Sequence, residues 1–262
     1  MINAVFLLLI SFCVLRASVV ITLLLSVSLL LPCVGSAQKD KPKNLEGFEQ
    51  KIVHFGFTIG LNSADFILDY DHNEWTDTSS NLLSLESQRQ PGFNLGIVSD
   101  LHLGSLLNLR FIPQLSFAGR MLEYTVEYNS KQNNGQTTQL INKPVESTYI
   151  DFPLDLKFRS ARINNYACYL LGGGKYSIDL ASQADIDQNI GDPVVRIERY
   201  GFSWEVGFGM DFFLQYFKFS PEIKLSVGTK NLIIHDAQSI KYETVIDRMR
   251  SNILLLSFTF EG

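Results

Sequence analysis

Cysteine is nearly absent from the working part of this chain. Of its three cysteines, Cys13 and Cys33 fall in an apolar leader and only Cys168 lies beyond it. An intramolecular disulfide and a cysteine-based metal centre are therefore excluded. Positive charge is also scarce. Arg16 is the one charged residue before position 38, which leaves 21 basic residues against 27 acidic ones in the remainder, a balance of −6. A nucleic-acid binder, which needs a basic face, is excluded on that ground. After residue 37 no apolar run approaches the ~20 residues that a membrane-spanning helix requires. No internal repeat or low-complexity run divides this part, whose length suits a single domain.

What is present begins with the leader. Residues 1–37 read as a signal peptide: Arg16 precedes an almost wholly apolar stretch, 18–32, and Gly35, Ser36 and Ala37 offer a small-residue cleavage site. The segment 1–14 is apolar too, so a transmembrane anchor is the rival reading. Pro32 directly before Cys33 fits poorly with lipid attachment. Residues 38–51 follow as a Lys-rich, mobile periplasmic tail, and residues 52–262 form the body.

The body alternates. Eight strand-like segments of about ten residues carry apolar side chains at every second position, and the gaps between them are by turns long and short. One face of the first holds Phe55, Phe57, Ile59 and Leu61, and the other holds His54, Gly56, Thr58 and Gly60. The sixth is cleanest, with Phe202, Trp204, Val206 and Phe208 opposing Ser203, Glu205, Gly207 and Gly209. Phase is lost near Gly119, which suggests a β-bulge, and Gly172–Gly174 interrupt the fifth, which suggests a kink or close packing. The polar rows are rich in glycine and the apolar rows in aromatics, which favours a barrel over a soluble sandwich. The expectation is an all-β fold: an eight-stranded antiparallel transmembrane β-barrel with short periplasmic turns and long extracellular loops, 62–91, 129–147, 181–198 and 228–251. Both chain ends are then periplasmic, and outer-membrane lipid is the first partner.

A barrel of this size is just wide enough to be filled by its own side chains. Arg110, Arg120, Lys157, Lys218 and Lys224 can there meet Asp100, Asp151, Asp155, Glu205, Asp211 and Glu222. This arrangement predicts a paired plug rather than a pore, because buried charge is tolerated only when compensated. His54 and His102 fall on inner faces of neighbouring strands, while His72 and His235 lie in loops. No two are spaced as metal ligands on one strand. Ser203 and Glu205 share a face, as a lipid-modifying enzyme would require, but no histidine is placed beside them. Gly172–Gly174 lack the strand–loop–helix setting of a phosphate loop. The acidic stretches 69–74 and 184–187 do not match a calcium loop. No catalytic, cofactor-binding or metal site is expected, and no small-molecule substrate.

Four stretches carry a resemblance. Residues 149–158 (YIDFPLDLKF) resemble a strand of the outer-membrane β-barrel superfamily common in the Bacteroidota. Residues 169–182 (YLLGGGKYSIDLAS), 54–62 (HFGFTIGLN) and 200–211 (YGFSWEVGFGMD) are similar to strands of its PorT branch. That resemblance implies a non-catalytic component of the type IX protein secretion machinery, which in some species supports gliding motility, with other components of the machine as partners. Contacts would come from the long loops or from the tail. A generic small barrel with an adhesive or structural role is the alternative.

Overall fold

The computed structural model describes residues 42–70, 82–129, 136–181, 197–234 and 245–262. The leader, His72, His235, the stretch 184–187 and most of 69–74 lie outside the described residues. Among the described residues no helix is long and apolar enough to cross a membrane.

Nine strands follow one short 3-10 turn at Phe48–Gln50: β1 (Val53–Tyr70), β2 (Leu82–His102), β3 (Leu107–Phe111), β4 (Gln114–Asn129), β5 (Gln136–Arg159), β6 (Tyr166–Asp179), β7 (Tyr200–Phe213), β8 (Lys218–Gly228) and β9 (Ile246–Glu261). All neighbours are antiparallel. β1 pairs with β2 on one side and with β9 on the other, so the sheet closes on itself. β3 and β4 both lie between β2 and β5 and keep one register across the gap. Pro113 sits in that gap and has no N–H to give the ladder. They are halves of one stave, and the ring has eight.

The outward row is apolar where the sequence placed it: Phe55, Phe57, Ile59, Leu61, Leu95, Ile97, Leu154, Leu156, Val206 and Phe208 are all exposed, and Trp204 is 61% exposed. The tight turns 103–106, 160–165 and 214–217 gather at one end of the ring. We call this the near end.

Two expectations require correction, and a third is met in one of its two forms. The strands run well past the apolar band, so the predicted loops 62–91 and 129–147 shrink to the connections 71–81 and 130–135. On the far side of the band the ladder continues while the outward row turns polar, and that polarity reads as loop. Second, no bulge lies in β4 at Gly119. The register shift falls on β2, between Arg89 and Phe93, opposite that glycine. There Gly92 lies so close to Phe117 O that a Cβ would sit 2.0 Å from it. Of the kink or close packing expected at Gly172–Gly174, the structure has the close packing, and β6 runs through as one strand. Gly173 is there for closeness: a Cβ would meet Leu154 O at 2.2 Å and the Asp155 carboxylate at 2.4 Å.

Candidate functional site

Inward side chains fill the ring in layers. At the near end Arg110, wholly buried, reaches Asp100 (3.3 Å), Glu222 (3.0 Å) and Glu261 (2.9 Å). Lys218 also pairs with Glu261, at 2.5 Å. Beside them Lys157 Nζ donates to Asp211 at 2.8 Å and lies 3.8 Å from the centre of the Tyr169 ring, whose hydroxyl donates to Glu222. Gly209 makes room for that ring; a Cβ there would sit 2.3 Å from Tyr169 Cζ.

One layer further in, Lys224 joins Asp155 (2.8 Å) and Glu205 (3.2 Å), while Lys175 joins Glu205 (3.3 Å) and Asp151 (3.8 Å). Water has little access, so each charge depends on its neighbours for solvation. Above this, Arg120 donates to the Tyr149 hydroxyl and to Ser251 Oγ, with the Phe66 ring 4.7 Å away. Arg120 marks the top of the polar filling.

Past Arg120 the interior is apolar. Phe66, Leu82, Leu85, Leu122, Tyr124, Val126, Ile246 and Met249 form a buried cluster, joined by Ile197, Leu232 and Ile233 from the connections at this end. The outer surface here is wet and charged, with ion pairs such as Arg89–Asp65 and Arg250–Asp69.

The near end is closed by residues 44–50 of the tail, which are packed rather than mobile. Phe48, 4% exposed, stacks on His54 (3.7 Å between ring centres) and packs edge-on against Phe213. Asn44 Nδ2 donates to Phe213 O, Arg162 donates to Asn44 O, and Arg159 pairs with Glu49 at 2.9 Å. Residues 44–50 are therefore a packed strap, anchored by one aromatic ring. Burial lowers the pKa of the Arg162 guanidinium from its ordinary value, and Glu49 pulls it back up.

All of the charged residues expected in the lumen are buried. Lys175, Glu261 and Arg159 belong to the same interior. Alternation alone could have found Lys175 had the glycine triplet not masked the phase of β6. His54 and His102 do come together, 5.6 Å apart edge to face. The contact is between rings, and neither nitrogen of His54 has a hydrogen-bond partner among the described residues. Ser203 and Glu205 lie along β7 away from that pair, with Glu205 engaged by two lysines. The four residues do not converge. Among the described residues no group of three or more His, Cys, Asp and Glu could hold a metal ion.

A closed antiparallel ring with an apolar exterior and a charge-paired interior defines a β-barrel of the membrane-spanning kind. The model of the outer membrane protein beta-barrel domain matches residues 36–233, and the chain belongs to that family. Its place is the outer membrane. No curated protein sequence matches the chain. Solved structures with a similar course include Ail, the attachment invasion locus protein of Yersinia pestis (14% identity, TM-score 0.36, 81% of this chain and 100% of that one). OprG of Pseudomonas aeruginosa (11%, 0.38, 80% and 94%) and Neisserial surface protein A (9%, 0.36, 78% and 95%) are others.

Proposed function

We propose that this barrel is a non-catalytic outer-membrane component of the type IX protein secretion machinery, acting through contacts with other proteins of that machine. The near end and its strap face the periplasm, and the far end faces outward. The observation that carries this reading is the resemblance of residues 54–62, 169–182 and 200–211 to strands of the PorT branch. A lumen packed with paired charge supports a binding role over that of a conduit. The decisive test is to delete the gene and assay secreted cargo. Cargo is expected to accumulate inside the cell, whereas normal secretion would remove the barrel from the machinery.

A second reading, a small adhesive or structural barrel, is favoured by the far half, whose staves project beyond the apolar band as a rigid, polar-surfaced platform. It predicts intact secretion in the same deletion strain together with altered surface attachment. Orientation is tested separately by placing a cysteine at Tyr216, which is 85% exposed in a near-end turn, in a Cys168→Ser background. A membrane-impermeant thiol reagent applied to whole cells should not reach it.

A further inference from the structure

A cleft of about 550 Å³ opens at the near end between two neighbouring turns and the strap. Lys43, Arg159, Arg162 and His102 line it together with a single carboxylate, Glu49. Arg159 is the telling residue. It is 4% exposed and spends one nitrogen on Glu49, while Nε and Nη1 have no partner among the described residues. A buried guanidinium with idle donors is costly, and an acceptor in the cleft would relieve that cost. Planar, forked donors suit phosphate. The lining is also greasy: Leu103 and Leu106, in the turn after β2, are 53% and 40% exposed.

We propose that this cleft holds the phosphate of a membrane phospholipid, with the headgroup between Lys43 and Arg159 and the first acyl methylenes against Leu103 and Leu106. Cationic charge and exposed leucine in one lining, at the end of the staves, match an amphiphile better than a free anion. The assignment of the lipid to the periplasmic leaflet rests on the orientation proposed above. Occupancy of the cleft does not, so the two can fail separately.

The test is native mass spectrometry of the processed full chain released from detergent micelles, with phosphatidylethanolamine or phosphatidylglycerol as probe and diacylglycerol as the phosphate-free control. Phospholipid adducts should survive where diacylglycerol is lost. Lys43→Glu, at an exposed position, and Leu103→Ser should each reduce retention about tenfold while the unboiled protein keeps its folded gel mobility. Equal retention of diacylglycerol overturns the proposal, as does unchanged retention in Lys43→Glu. Displacement by millimolar inorganic phosphate with Leu103→Ser silent overturns the lipid in favour of a soluble phosphate.

Discussion

The two halves of this barrel share one ladder and solve opposite problems. Along β1 the inward row runs His54, Gly56, Thr58, Gly60 and Asn62, then changes to Ala64, Phe66 and Leu68. The outward row changes the other way, from Phe55, Phe57, Ile59 and Leu61 to Ser63, Asp65, Ile67 and Asp69, with Ile67 the one apolar residue left among the last four. β4 repeats the exchange, with Gln114 and Ser116 inside near one end and Leu122, Tyr124 and Val126 inside near the other. Backbone geometry does not change at the crossover. What changes is the surrounding medium: hydrocarbon around the near half places the charges inside, and water around the far half places the leucines inside. A period of two is indifferent to which side is wet, so a single strand can serve both media.

Substitutions in matched positions should separate the halves. The largest effect is expected from Arg110→Ala, which removes the cation shared by Asp100, Glu222 and Glu261 in the near interior. Loss of one partner from a buried charge cluster costs about 3–5 kcal/mol, and urea unfolding followed by tryptophan fluorescence should register it. In the far half the comparable injury is a cavity. Leu122→Ala, at a fully buried position, should cost about 2–5 kcal/mol by the same measurement, with the Arg110 cluster untouched. If Leu122→Ala were harmless, the far half would not be a packed core.

A charge placed on the outer face probes the medium directly. Val206→Arg, on the exposed apolar row of the near half, should cost about 2–4 kcal/mol near the bilayer mid-plane. Thr125→Arg, on the outer face of the far half, should stay within about 0.5 kcal/mol. Equal costs for the two would abolish the distinction drawn here. The smallest of the packing effects belongs to Gly209→Ala, where the added methyl meets the Tyr169 ring. Overpacking of this kind costs about 1–3 kcal/mol and should show as a lowered thermal midpoint for loss of the fast-migrating unboiled form.

The same exchange explains how much of the barrel is legible in the sequence. The near half was legible because its outward residues are large and apolar at every second place, and the charges between them, such as Arg110, Asp155 and Asp211, have no other face to occupy. Past Asn62 the rule inverts. Ser63, Asp65 and Asp69 on the outside look like loop, and Phe66, Ile67 and Leu68 form a short apolar run in which the alternation is lost. Glu261 was missed because β9 is apolar on both faces through Ile253–Leu256. Phe48 gave no periodic signal at all: one ring in a short polar segment acquires meaning only when His54 and Phe213 are seen beneath it.

Glu261 has one further consequence. It sits on β9, the stave that completes the circle against β1, and its carboxylate serves Arg110 from β3 and Lys218 from β8 at once. Until that last seam zips, two cations from distant parts of the chain face a greasy surrounding without their shared counterion. A half-wound cylinder is therefore electrically unfinished as well as open-edged, and insertion has no comfortable stopping point short of closure.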